Sequence, residues 1–199
     1  MFIVKLRGYR FIIMIEISFS GRGGQGVVLG SQMLGLAFFK SGKYPQCYSV
    51  FGGERRGAPL ASFLRVDNRK ILLKCEIKNP SDFICFDDSL FDAGAVRSML
   101  KPGGSILINT RRSREAFTDL SSYKLGLVDG LAVARQAGLD HFFNTAMVGA
   151  YGSFSGHLEI EPILEAVREM TPANPANNIK AARLAFDQVQ TIEPGGKNG

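Results

Sequence analysis

Ile15-Glu-Ile-Ser-Phe-Ser20 runs directly into Gly21-Arg-Gly-Gly-Gln-Gly26, and that into Val27-Val-Leu-Gly-Ser-Gln-Met-Leu-Gly-Leu-Ala-Phe-Phe-Lys40. An alternating apolar run, a glycine cluster and a long apolar stretch read in turn as strand, tight turn and buried helix. Gly42 supplies the stop. Gly21, Gly23 and Gly26 fall in G-x-G-x-x-G positions, the spacing that lets backbone approach a phosphate at a helix N-terminus. Arg22, Gly24 and Gln25 fill the turn, and Arg22 adds a positive charge where the helix amides already favour an anion.

Working outward, the same alternation recurs. Asp82-Phe-Ile-Cys-Phe-Asp-Asp88 is a short buried strand ending in acids, with Asp87-Asp88 placed to cap the segment that Ser89 opens. An amphipathic stretch follows to Leu100, then a strand over 105–110. Lys124 to Asp129 supplies another, leading into a helix near Leu131 to Gln136, and Asn144 is read as the N-cap of a helix through Ala150. The last third is helical: 159–170, stopped by Thr171-Pro172, and 176–190, with Ile179, Ala182, Phe186 and Val189 on one face. Between these parts, 60–66 and 70–77 are strand-like runs around Asp67-Asn68-Arg69, which predicts an antiparallel hairpin. The expectation is an α/β fold: three α/β/α layers, a largely parallel sheet plus one antiparallel hairpin, and a helical C-terminal third. Residues 14–190 form its single domain, 1–13 an N-terminal extension ahead of Met14, and 191–199 a disordered tail.

A second string, Phe51-Gly-Gly-Glu-Arg-Arg-Gly-Ala-Pro59, has the composition of an ordered loop with special backbone geometry, of the kind that serves sites and interfaces. The candidate binding residues are accordingly Gly21, Arg22, Gly23, Gly24, Gln25, Gly26, Glu54, Arg55 and Arg56. A dinucleotide reading of the turn also requires an acid at the end of the next strand to hold the ribose. The corresponding stretch, Pro45-Gln-Cys-Tyr-Ser-Val50, has none, and Glu54 beside Arg55 and Arg56 is better placed for pairing with an arginine.

Composition narrows the classes further. The 199 residues are 45% hydrophobic and 21% charged, as expected of one folded domain. The net charge of +6 is concentrated in short clusters such as Arg111-Arg112 with Arg114, without a recognition helix or zinc spacing, so no nucleic-acid partner is expected. Three scattered cysteines, Cys47, Cys75 and Cys85, match no iron–sulfur spacing and suit a reducing, cytoplasmic setting. The apolar stretch from Phe11 to Ile17 is too short for a membrane span and contains Glu16. His141 and His157 have no partner at metal or nucleophile spacing, and no catalytic group stands out.

Taken together, Gly21-Arg-Gly-Gly-Gln-Gly26, Gly42-Lys-Tyr44, Phe51-Gly-Gly-Glu-Arg-Arg-Gly-Ala-Pro59 and Asn144-Thr-Ala-Met-Val-Gly-Ala150 resemble the gamma subunit of 2-oxoacid:ferredoxin oxidoreductases, pyruvate and ketoisovalerate members above all. The resemblance spans 15–189. It implies a subunit of an assembly that oxidatively decarboxylates a 2-oxoacid, pyruvate first, to acyl-CoA and CO2 and passes electrons to ferredoxin. It also implies that thiamine diphosphate, Mg, the iron–sulfur clusters and CoA belong to the assembled enzyme with its alpha, beta and delta subunits, and that this chain alone binds none. The Gly-Asp-Gly…Asn motif for the thiamine pyrophosphate is missing, with Val128-Asp-Gly130 an incomplete echo. The alternative is a free-standing α/β protein that binds a nucleotide or CoA at its glycine-rich turn.

Overall fold

The structure is a computed structural model that describes residues 3–6, 9–12, 14–51 and 57–195; for 3–12 and residue 51 the description is of the backbone. Of the expected N-terminal extension, the backbone of β1 (Ile3–Leu6) and β2 (Tyr9–Ile12) forms an antiparallel pair of its own. The main sheet has seven strands: β3 (Ile15–Arg22), β4 (Tyr44–Phe51), β5 (Pro59–Asp67), β6 (Asp82–Cys85), β7 (Ser105–Asn109), β8 (Lys124–Val128) and β9 (Gln190–Ile192). Their spatial order is β4-β5-β3-β6-β7-β8-β9. β3, β6, β7 and β8 are mutually parallel, while β5 runs against both its neighbours and β9 runs against β8.

Alternation along the strands sorts the side chains into two cores. Ile17, Phe19, Leu64, Val66, Ile84, Phe86 and Leu107 face α1 (Val27–Lys40), α3 (Gly130–Gln136), α4 (Asn144–Ser155), α5 (Ile160–Met170) and α6 (Pro175–Gln188). Phe83, Cys85, Ile106, Ile108, Leu125 and Leu127 face α2 (Ala93–Met99) and a short 3-10 segment, Arg114–Leu120, through Val96, Leu100, Phe117 and Leu120. The central strands are buried on both faces, which explains their near-continuous apolar runs. The expected three layers and helical C-terminal third are present, with one helix layer much thicker than the other.

The expected hairpin is displaced. β5 pairs with β4 on one side and β3 on the other, so both its edges are taken and residues 70–77 have no ladder to join. They cross the sheet face as irregular chain instead, tied down by buried polar groups. Arg65, 2% exposed, donates through Nε to Glu16 Oε1 at 2.9 Å and through Nη1 to the Cys75 carbonyl at 2.7 Å. Lys101 Nζ completes the cluster at 2.7 Å from Glu16 Oε2. The antiparallel pair is therefore β4–β5, joined through the second glycine-rich string, whose residues 52–56 lie outside the described ones.

Two further boundaries differ. Asn144 is the first residue of α4 rather than its cap; Phe143 takes the N-cap position, and Asn144 is buried against Gly26 instead of folding back on its own helix. At the other end α6 stops at Gln188, and the chain runs into β9 against the otherwise open edge of β8. Residues 191 and 192, assigned to the tail by composition, thus belong to the sheet, where Ile192 packs on the second core.

Candidate functional site at the rim of the sheet

The carboxyl ends of β3 and β6 lie side by side, and the chain leaves them in opposite directions: β3 through α1 on one face toward β4, β6 through α2 on the other face toward β7. Open α/β sheets bind ligands at such a switch point. The glycine string sits here. A Cβ on Gly21 would lie 2.6 Å from Val27 Cγ2 and 2.8 Å from Phe86 Cβ, so strand, helix and neighbouring strand meet too closely for any other residue. Gly26 ends the turn in left-handed conformation (φ 75°) as the N-cap of α1, which receives no side-chain cap.

The turn is stitched to the far end of the second string. Gly23 N–H donates to the Ala58 carbonyl at 3.0 Å, and Gly57 N–H donates to the Gly23 carbonyl at 3.1 Å. Two motifs distant in sequence are one unit in space. Glu54, Arg55 and Arg56 fall outside the described residues; Gly57 and Ala58, which follow them, are fixed on the glycine turn.

The side chains of the turn point inward to an acid. Arg22 Nε donates to Asp87 Oδ2 at 2.9 Å, Nη1 to the Gly57 carbonyl at 3.2 Å and Nη2 to Ser89 Oγ at 3.1 Å. Gln25 bridges the same elements: its Oε1 accepts from Arg22 N–H at 2.7 Å and its Nε2 donates to Asp87 Oδ2 at 3.0 Å. Burial pushes the Asp87 carboxyl up, but hydrogen bonds from Ser89, Gln25 and Arg22 outweigh it and hold the group below its ordinary value. Asp87 also caps the short 3-10 turn Asp88–Leu90 through Ser89 N–H, the capping role its position suggested.

The next strand ends continue this polar rim. Thr110 Oγ1 donates to Asp88 Oδ2, and Asn109 bridges the Phe86 carbonyl and the Gly130 amide, at 2.9 Å each. Asp129 accepts from Ala132 N–H at 2.9 Å, capping α3, and pairs with Arg111 at 3.3 Å. Both Asp129 oxygens are thereby engaged. The Val128-Asp-Gly130 echo does not fit a thiamine pyrophosphate site, because its carboxylate caps a helix and binds an arginine.

Chemically, the arrangement is a zipped rim rather than an open nucleotide crevice. The charge of Arg22 is met by Asp87 across the switch point, where a dinucleotide would need free amides and space. Among the described residues no group of three or more His, Cys, Asp or Glu could hold a metal ion. Sequence reasoning missed Asp87 as the partner of Arg22. The signal was present in an acid closing the strand parallel and adjacent to the one that Arg22 ends.

The rim thus belongs to a seven-stranded α/β sheet whose glycine-rich first βα turn is bonded to the end of a second glycine-rich string. Residues 16–188 match the family of pyruvate ferredoxin/flavodoxin oxidoreductase, and the chain belongs to that family. It is 39% identical to the pyruvate/ketoisovalerate oxidoreductases common subunit gamma of Thermococcus kodakarensis, over 90% of this chain and 100% of that one. It is 38% identical to the pyruvate synthase subunit PorC of Methanocaldococcus jannaschii, over 88% and 97%. The crystal structure of the pyruvate oxidoreductase subunit PORC of Thermotoga maritima superposes with a TM-score of 0.77 at 28% identity, covering 90% of this chain and 99% of that one.

Proposed function

We propose that this chain is the gamma subunit of a multisubunit 2-oxoacid:ferredoxin oxidoreductase that converts a 2-oxoacid, pyruvate in the first instance, to acyl-CoA and CO2 with electrons passed to ferredoxin. The observation that carries the reading is the match to the gamma subunit of Thermococcus kodakarensis along the whole of that subunit. Thiamine diphosphate, Mg, the iron–sulfur clusters and the oxoacid then belong to the alpha, beta and delta chains or their fused equivalents, working in the cytoplasm. The zipped rim supports this division of labour: it is rigid, cross-bonded between two motifs and built to be presented to a neighbour.

On this reading Gly21 to Gly26 hold the loop that carries Glu54, Arg55 and Arg56. That loop meets an anionic group in the assembly, either a CoA phosphate or a carboxylate of a neighbouring subunit. The free-standing nucleotide reading is disfavoured by the Arg22–Asp87 pair, which occupies the switch point.

Purification from the native cell under low oxygen tests the proposal. We expect this chain to elute with cluster-bearing subunits and thiamine diphosphate, in fractions that reduce a viologen dye with pyruvate only when CoA is present. A lone monomer carrying a tightly held dinucleotide, or oxoacid turnover by the isolated chain, would overturn it.

A further inference from the structure

β4 is the end strand of the main sheet: β5 takes one of its edges, and among the described residues no strand takes the other. The open edge runs for eight residues, Tyr44–Phe51, without a charged side chain, and Pro45 is its only blunting residue. Edge strands are normally kept short, charged or covered, because their unpaired amides and carbonyls template pairing with another chain. β9, at the opposite end of the sheet, follows that rule with only three residues, Gln190–Ile192.

Apolar side chains gather on both sides of the open edge. Of the seven large hydrophobic residues exposed among the described ones, five stand around it: Phe39, Tyr44, Val50, Leu72 and Leu73. A Cβ on Gly35 would lie 2.8 Å from Cys47 Sγ and 3.7 Å from Pro45 Cβ, so that side of α1 overlies β4. Phe39, one turn further along the same side, is 62% exposed. On the other face Gln46 Nε2 donates to the Leu73 carbonyl at 3.0 Å and holds the irregular crossing against the strand, with Leu72 80% exposed. By alternation Tyr44 and Val50 share the face of Gln46. Exposed apolar residues scattered singly are ordinary, whereas a group concentrated on one open strand marks a contact.

Charge selects the kind of partner. Lys43, Arg69, Lys70 and Lys74 surround the same patch, and none of them is in an ion pair among the described residues. Two acids, Asp67 and Glu76, are interspersed with them. A second copy pairing through this edge would set cation against cation around the seam, whereas an acidic partner meets opposite charge.

We propose that the open edge of β4 is the docking edge for a neighbouring subunit of the oxidoreductase, which adds an extended segment to the strand. That segment is apolar where it meets Phe39, Val50 and Leu72 and acidic where it meets Lys43, Lys70 and Lys74. The inference rests on the assembly reading above and names the surface through which the chain joins. β4 leads at Phe51 into the loop carrying Glu54, Arg55 and Arg56, so strand and loop present one continuous front to the neighbour.

The test is amide hydrogen exchange, read by mass spectrometry, of the full chain alone and in the assembled enzyme purified from the native cell. We expect the amides of residues 46–51 to exchange at least tenfold more slowly in the assembly than in the isolated monomer. Val50→Asp and the double reversal Lys70→Glu, Lys74→Glu change exposed side chains, and each should weaken binding to an assembly stripped of this chain at least tenfold. Unchanged β4 exchange in an assembly that contains the chain, or either folded variant binding as tightly as the wild type, overturns the docking edge and leaves the subunit reading standing. A chain that joins no assembly overturns both. A homodimer protected at β4 makes a second copy the occupant and overturns the acidic partner. The wild-type exchange map decides even where a variant does not fold.

Discussion

Arg22 and Asp87 close the gap between two parallel strand ends with a 2.9 Å ion pair, at the point where related architectures admit a ligand. The pair is part of a small network. Gln25 bonds the same Asp87 oxygen and the Arg22 backbone, and Ser89 bonds both members. A glycine-rich turn that looks from its spacing like a phosphate cradle is thereby used to lock two strands and a distant loop together.

Removing Asp87 leaves Arg22 and Gln25 without their acceptor. Since hydrogen bonds to charged groups contribute roughly 1.5–3 kcal/mol and the Arg22 side chain is 38% exposed and partly screened, we expect Asp87→Ala to cost about 1–2 kcal/mol. A double-mutant cycle with Arg22→Ala, read by urea unfolding, should show coupling of about 1 kcal/mol. Purely additive losses would mean that the pair is incidental to the rim.

The buried cluster under residues 70–77 predicts acid sensitivity. Burial raises the Glu16 carboxyl, but hydrogen bonds and charge from Lys101 and Arg65 lower it further, so its folded value lies below the ordinary one. A depressed folded value gives stability that is fully present above the unfolded carboxylate range and is lost as pH falls through the folded value. Asp87 is shifted the same way and adds to the effect. Urea midpoints should hold near neutrality and fall steadily below about pH 5. Glu16→Gln should flatten that fall and lower stability at pH 7 by about 3–5 kcal/mol, because Arg65 is then buried without a counter-charge.

Strand–helix alternation and the glycine turn were legible because each is a local pattern: period two in β3, apolar runs in β6 and β7, a glycine cluster between strand and helix. The misplaced hairpin was not, because 70–77 has strand composition and only the pairing of β5 with both β3 and β4 denies it an edge. Arg65 was invisible for the same reason: a charged residue in a strand reads as surface until Glu16, the Cys75 carbonyl and the covering loop enclose it. Asn144 has excellent capping chemistry, and the contact with Gly26 that redirects it is a tertiary event. The positive charge of Arg22 beside the glycines is legible, but Arg22 closes β3, and its neutralisation by Asp87 depends on which strand lies next to β3.

The α4–α6 crossing sets helix propensity against sterics. Alanine in place of a helical glycine normally adds about 0.5–1 kcal/mol. At Gly149, however, a Cβ would come within 2.0 Å of the Ala182 carbonyl oxygen and 2.6 Å of its carbon, both backbone atoms of α6 that cannot rotate away. Overpacking of this kind costs typically 1–3 kcal/mol or more, so the clash wins. Gly149→Ala should lower the thermal midpoint by several degrees, whereas a midpoint raised or unchanged would show that α6 can shift outward freely.

Cys75 and Cys85 should separate by reactivity. Cys85 is fully buried in β6, and desolvation pushes its thiol up to about 12, so the reactive thiolate is almost absent at neutral pH. Cys75 lies exposed on the irregular crossing, beside the Arg65 guanidinium at 3.7 Å. Under native conditions a thiol reagent should label Cys75 well before Cys85, and Cys85 should become available only at the rate at which the sheet opens. Labelling kinetics of the Cys47→Ser, Cys75→Ser double variant at increasing urea measure that opening directly: if Cys85 reacts in the native state as fast as Cys75 does in the parent chain, the β6 core is not closed as described.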